Sequence, residues 1–313
     1  MLEENKIIKV FGHRSPDTDA TGSAIVWAWF LNEYRKQAAQ AYVLGPINKE
    51  TDFVLETWGV DVPPILEEIS EEDLVAITDT NNLDELFSNI NDTHILSIID
   101  HHKLSGNLKT SHPPEIVIQP YASTMTVMYN IMNIDVKDFP REIAGLMLSG
   151  ILSDTLKFRS PTTTEEDKKL AKQLAEQLEI NIDDYAEKMF NAKSDISDFS
   201  AKELVRMDSK IYDIHGRTMR ISVLETTQPE FVLERYDEIV ESFPQVREED
   251  EVKNILLFVI DILKEEAILL TPDEETRKIA KEVFHGEGEN YVILPGIVSR
   301  KKQIIPALLE KLK

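Results

Sequence analysis

At 313 residues the chain is long enough for two ordinary domains, each with its own core. A formal net charge of −23 with no compensating basic block argues against nucleic acid as a main ligand, because phosphate backbones are bound by clustered Lys and Arg. The absence of cysteine excludes disulfides, thiolate metal sites and thiol catalysis, leaves His, Asp and Glu as metal ligands, and fits a cytoplasmic protein. The N-terminal "MLEENKIIKVFG" has no apolar core of signal-peptide length and runs straight into a strand. The longest apolar run, "AIVWAWFL", has about eight residues against the roughly twenty of a spanning helix, so a soluble chain with no membrane partner is expected.

From Lys6 to about Lys193 short β-branched runs alternate with longer amphipathic ones. The predicted strands are "IIKVF" (7–11), "AYVL" (41–44), "LVAIT" (74–78), "HILSI" (94–98) and "EIVI" (115–118). Between them the pattern predicts helices over 20–35, 50–58, 123–132, 141–152 and 165–178, the last with Leu170, Leu174 and Leu178 as a packing stripe. Such alternation predicts an α/β fold, a mostly parallel sheet covered by helices. The segment "NAKSDISDFS" (191–200) loses apolar periodicity and reads as a linker. A smaller α/β or α+β domain follows: a helix (201–206), two strands around "IHGR", a helix (229–243), a strand pair around 261–265, a helix (274–284), the strand "YVIL" and a final helix from about Gln303. No internal repeat is evident.

Ligands of open α/β sheets bind beyond the carboxyl ends of the strands. Strand 7–11 is followed by His13, Asp17 and Asp19, strand 74–78 by Asp79, and strand 94–98 by Asp100, His101 and His102. If these strands are parallel neighbours, the side chains converge. Each has a plainer reading alone: Asp17 and Asp19 as helix-cap residues, Asp79 as an Asx-turn residue, the histidines as exposed loop residues. Their joint occurrence at one sheet edge favours a site. Asp154, at the C-terminal end of an apolar helix, is disfavoured there by about 0.3–1 kcal/mol unless a cation lies nearby. Imidazole and carboxylate without thiolate suit Mn²⁺, with Co²⁺, Zn²⁺ and Mg²⁺ as alternatives. So many carboxylates suit two ions sharing one of them, about 3.5–4 Å apart.

In "LPGIVSRKKQIIPALLEKLK", Arg300, Lys301 and Lys302 stand at a helix start, where positive charge opposes the macrodipole. A solvated charge run is the plainer reading. Cations at a helix N-terminus also form an anion site, which Lys210 could complete. The isolated His94, His112, His215 and His285 read as structural or exposed.

With "GHRSPDTDATG", "ITDTNN", "IIDHHKLSGN", "LSGILSDTLKFRSPTTT" and "VSRKKQ" in that order, the sequence resembles the family II, manganese-dependent inorganic pyrophosphatases of the DHH phosphoesterase superfamily, over essentially the whole chain. The resemblance implies a DHH-type metal-binding domain at 1–190, a linker at 191–199 and a substrate-binding domain at 200–313, with the active site in the cleft between them. It implies one Mn²⁺ held by His13, Asp17, Asp79 and Asp154 and another held by Asp19, Asp79, His101 and Asp154. His102 would face the substrate, Lys210, Arg300 and Lys301 would bind phosphate, and Asp100 would orient an imidazole. Where the family usually has Asp-His-Asn-Glu, this chain has Asp79-Thr80-Asn81-Asn82, and "YASTMT" replaces the usual small-residue pattern before the helix at 123. The segment from Asn107 to Asp154 is too short for an inserted nucleotide-binding module, so adenine-nucleotide control is not expected.

The implied reaction is hydrolysis of pyrophosphate to two phosphates by a metal-bridged hydroxide, with extra Mg²⁺ or Mn²⁺ arriving with the substrate. His102 and Asp79 are the expected catalytic residues, and the resemblance implies a homodimer formed through an edge strand of the N-terminal domain. An exopolyphosphatase of the same branch is the alternative. The phosphodiesterase branch is disfavoured because the chain has no Gly-Gly pair. A non-catalytic regulatory relative would have lost a ligand, and every matched ligand is present.

Overall fold

The structure, a computed structural model, describes residues 6–312; residues 1–5, the start of the segment read as entering the first strand, lie outside it. The chain divides into two compact units, Met1–Ala192 and Lys193–Lys313.

The first unit is built on five parallel strands: β1 (Ile8–Phe11), β2 (Ala39–Ala41), β3 (Leu74–Thr78), β4 (His94–Asp100) and β5 (Glu115–Ile118), in the order β2-β1-β3-β4-β5. Every residue of β3 is buried, as a central parallel strand requires. The helices are α1 (Thr18–Glu33), α2 (Lys49–Trp58), α3 (Thr124–Met132), α4 (Arg141–Asp154), α5 (Glu165–Leu178) and α6 (Ile182–Lys193). One core cluster joins β1, α1, α2, α3, α4, α5 and α6; a second, around Phe11, Val75, Ile77 and Ile98, covers the other face.

Two expectations shift here. The strand expected at 41–44 pairs with β1 through Ala39–Ala41, while the buried Val43 makes a separate parallel bridge to Ile65. The linker expected at 191–199 begins inside α6, which buries Tyr185, Ala186, Met189 and Phe190. Beyond α6, Ser194 is buried and shares hydrogen bonds with Thr226 and Thr227, so this connection is pinned.

α4 approaches its neighbours through glycines. A Cβ on Gly145 would lie 2.1 Å from the Trp58 ring, and one on Gly150 would lie 2.5 Å from Asp19 Oδ1. Close passage at Gly150 brings α4, which ends in Asp154, against the first turn of α1, which carries Asp19.

The second unit holds α7 (Ala201–Arg206), β6 (Ser209–Ile214), β7 (Arg217–Thr226), α8 (Pro229–Leu233), α9 (Tyr236–Glu249), β8 (Asn254–Asp261), β9 (Glu266–Leu270), α10 (Glu274–Phe284), β10 (Tyr291–Pro295), a π turn (Arg300–Ile304) and α11 (Ile305–Lys311). Its sheet runs β10-β9-β8-β7-β6, antiparallel except for the β7–β8 pair. The single helix expected at 229–243 is two, broken where Arg235 turns out of the helix and donates to the Ile196 carbonyl at 2.8 Å. The eight residues of β8 are all buried, with a core cluster on each face of the sheet.

Candidate active site

β1, β3 and β4 are adjacent and parallel, so their carboxyl ends open on one edge. Two groups of side chains meet there, close enough to share a cation: His13, Asp17 and Asp79, and Asp19, Asp79, His101 and Asp154; a third, Asp79, His101 and His102, overlaps the second. Asp79 belongs to all three. Its Oδ1 lies 3.3 Å from His101 Nε2 and its Oδ2 lies 3.5 Å from His13 Nε2, one oxygen toward each imidazole. Asp154, implied in both sets by the resemblance, falls in the second group only, with Oδ2 at 3.5 Å from His101 Nε2.

Asp17 serves as helix cap and site residue together. Its Oδ1 accepts from Ala20 N at the start of α1, and its Oδ2 lies 3.7 Å from His13 Nε2. Asp19, fully buried two residues on, accepts from Ser123 Oγ at 2.6 Å and Thr124 N at 2.8 Å. Thr124 Oγ1 also donates to Asp79 Oδ1 at 2.9 Å, so the N-terminus of α3 orients carboxylates of both groups.

The histidines are held in different ways. His101 Nδ1 lies 3.1 Å from the Tyr121 carbonyl, which can only accept, so Nδ1 carries a proton and Nε2 is the nitrogen turned into the group. That buried Nε2 makes no hydrogen bond, although it faces Asp79 and Asp154. A ring nitrogen facing two carboxylates takes either a proton or a metal ion, and oxygen and imidazole donors suit a divalent transition ion. The residues therefore fit the implied metal. The imidazole that Asp100 orients is His102: its Nδ1 lies 2.9 Å from Asp100 Oδ1, which also accepts from His101 N and His102 N. Asn81 Nδ2 donates to the other Asp100 oxygen at 2.5 Å.

Without a cation the cluster must take up protons. Burial pulls the His13 pKa down, but Asp17 and Asp79 outweigh it and raise it to about 10. Burial and the Asp79 charge push Asp19 up, whereas the two histidines hold Asp79 down against its own burial. For His102, the Asp100 carboxylate raises the pKa. His13 and His102 line a cavity of about 460 Å³ with Arg14, Ser15, Asp84 and Glu85. Arg14 is held by a bond from Nε to the Leu86 carbonyl.

In the second unit, Lys210 on β6 and Arg300, Lys301 and Lys302 of the π turn line a cavity of about 450 Å³ with Asp208 and Ser299. Ser299 caps the turn by accepting from Lys302 N. The three lysines are exposed and form no ion pair among the described residues, despite the net charge of −23. Four cations converge on one pocket, three of them free to meet an anion.

The DHH family, N-terminal domain, matches residues 7–151, and the DHHA2 domain matches residues 187–311. A probable manganese-dependent inorganic pyrophosphatase of Deinococcus radiodurans is 38% identical over 96% of this chain and 98% of its own. The chain belongs to the family II, manganese-dependent inorganic pyrophosphatases. A probable member from Streptococcus thermophilus is 33% identical over 97% of this chain and 98% of its own. The crystal structure of a Methanococcus jannaschii protein assigned to the same family aligns with a TM-score of 0.61 and 32% identity, covering 97% of this chain and 99% of that one. An exopolyphosphatase-related protein of Bacteroides fragilis shares the fold, with a TM-score of 0.51 at 19% identity, covering 97% of this chain and 92% of its own.

In this family II member the departures from the Asp-His-Asn-Glu pattern act locally. Thr80 Oγ1 donates to Glu85 at 2.6 Å, and Asn82 accepts from Asp84 N to cap a short turn. Neither enters a ligand group. Sequence reasoning missed Asn81, Ser123 and Thr124 as site residues. The last two carry a readable signal, since a Ser-Thr pair after a strand and before a helix marks a capped N-terminus at the edge where ligands bind.

Proposed function

We propose that the chain hydrolyses inorganic pyrophosphate to two phosphates, with Mn²⁺ at two sites that share Asp79. The observation that carries this reading is Asp79 itself, a buried carboxylate with one oxygen turned to each of two ligand groups. His13, Asp17 and Asp79 are assigned to one ion, and Asp19, Asp79, His101 and Asp154 to the other. Bound there, divalent cations supply Lewis-acid activation of the attacking water and neutralise phosphate oxygens; Co²⁺ or Mg²⁺ are the alternative ions.

A new bond forms from the water oxygen to one phosphorus, and the bridging P–O bond breaks toward the other phosphate. Asp100 keeps His102 Nδ1–H engaged and favours the imidazolium, so His102 Nε2 holds a proton for the departing oxygen. Lys210, Arg300 and Lys301 meet the substrate's oxygens and offset the charge that develops on them. We assign the chain to the cytoplasm, in keeping with its lack of cysteine. Among the described residues no helix is long and apolar enough to cross a membrane. Neither nucleic acid nor membrane is a proposed partner. A homodimer is proposed through β5, one of the sheet's two edge strands, where Ile116 is 54% exposed.

The experiment strips the protein of metal, reloads it with Mn²⁺, and measures phosphate release from pyrophosphate, tripolyphosphate, long polyphosphate and a dinucleotide. Fast release from pyrophosphate alone is expected. Preference for long polyphosphate would make it an exopolyphosphatase and leave the metal assignment standing.

A further inference from the structure

We infer that Asp208 is a positioning residue: it holds the Arg300 guanidinium in the orientation that meets a pyrophosphate oxygen. The inference rests on the function proposed above and adds a residue to its substrate pocket.

Arg300 differs from the lysines beside it. The residue is only 9% exposed, and both terminal nitrogens of its guanidinium are taken by Asp208. Nη1 donates to the Asp208 main-chain carbonyl, and Nη2 donates to Asp208 Oδ1 at 2.7 Å. A single residue accepts at two points, from main chain and side chain together. Its backbone takes the φ of +32° that this requires, in the region Asp tolerates better than most residues. The same carbonyl accepts from Val223 N on β7 at 3.2 Å, so the clamp is anchored to the sheet. Two residues on, Lys210 stands on β6, and the clamp thereby ties Arg300 to the strand that carries the next cation.

Donor counting shows what remains for a ligand. A guanidinium has five N–H groups, two on each terminal nitrogen. Asp208 takes one on each, which leaves one N–H on each terminal nitrogen uncommitted. Arg300 Nε is buried without a hydrogen-bond partner. A planar group fixed at two points has lost its rotational freedom before an oxyanion arrives, so less entropy is lost on binding. Asp208 would instead be a stand-in anion if pyrophosphate had to displace it, and that role predicts the opposite sign on substitution.

The test compares wild type, Asp208→Ala, Asp208→Asn and Arg300→Ala, and the double variant Asp208→Ala with Arg300→Ala, all loaded with Mn²⁺. Asp208→Ala is expected to raise the KM for pyrophosphate about tenfold with kcat within about twofold, as for loss of one hydrogen bond to a charged group. Asp208→Asn keeps an acceptor and should recover most of the affinity. In the Arg300→Ala background, Asp208→Ala should add less than about twofold, because its effect passes through the arginine. A fall in KM, or an equal effect in both backgrounds, would overturn the inference. Asp208→Gly, which fits the positive φ, takes the place of the alanine variant if that variant fails to fold. Wild-type turnover of pyrophosphate is the separate check on the proposed function. Were it absent, calorimetric binding of inorganic pyrophosphate to the same variants would decide the positioning role by the same pattern.

Discussion

Asp79 combines a backbone duty with a chemical one. It turns the chain after β3 at φ +58°, which Asp and Asn tolerate, and it offers an oxygen to each histidine. Asp79→Asn therefore keeps the turn while removing the charge that joins the two groups. We expect pyrophosphate hydrolysis to fall to background and Mn²⁺ binding, followed by metal analysis after dialysis, to drop at both sites. Near wild-type turnover in metal-defined buffer would sink the shared-ligand assignment. The protonated cluster also sets a pH dependence. With its folded pKa raised from 6.5 to about 10, His13 stabilises the metal-free fold fully below about 6.5 and loses that contribution as pH rises through 10. Asp19, also raised, acts in the same direction, since its ionisation is disfavoured in the fold. The Tm of the metal-free protein should fall between pH 6.5 and 10, and Mn²⁺ should flatten that fall by displacing the protons. Scanning calorimetry across this range, with and without metal, is the check.

At the scale of elements, the N-terminus of α3 does more than begin a helix. Ser123 caps it and donates to Asp19, while Thr124 reaches Asp19 by its main chain and Asp79 by its hydroxyl. Thr124→Val keeps shape and the main-chain donor but removes the hydroxyl. Losses from such outer partners run about 10–100-fold in metal affinity. The same loss is expected here, with the far-UV spectrum unchanged, measured by competition with a chelating dye. The element pattern was largely legible because 3.6-residue and 2-residue periods survive in the sequence: β3, β5 and α5 match their expected bounds. α6 escaped because its polar end, "NAKS", reads as loop although Tyr185, Ala186, Met189 and Phe190 form a buried stripe.

At the scale of the whole molecule, each unit carries its own core. In Lys193–Lys313 the wholly buried β8 has a core cluster on each face, Leu256 packing with Ile221 and Ile279 in one and Leu257 with Leu204 and Ile239 in the other. Residues 193–313 expressed alone should unfold in urea as one cooperative transition, with a slope of about 1–3 kcal/mol/M. That fragment lacks every ligand of the metal groups and should release no phosphate. A gradual, non-cooperative loss of circular dichroism would show that the second core is insufficient by itself.

The sequence by itself determined the chemistry available: no thiol, carboxylates and imidazoles after three β-branched runs, and one basic corner in an acidic chain. Those are properties of residue type and order, which periodicity and strand-tip position expose. Only the tertiary structure decided that Asp79 turns one oxygen to His13 and the other to His101, that Asp154 sits with one group, and that His101 answers to Tyr121 while His102 answers to Asp100. The reason is physical. These outcomes turn on distances of about an ångström set by packing between segments far apart in sequence, such as Gly150 against Asp19 and Arg300 against Asp208. No local pattern encodes such distances.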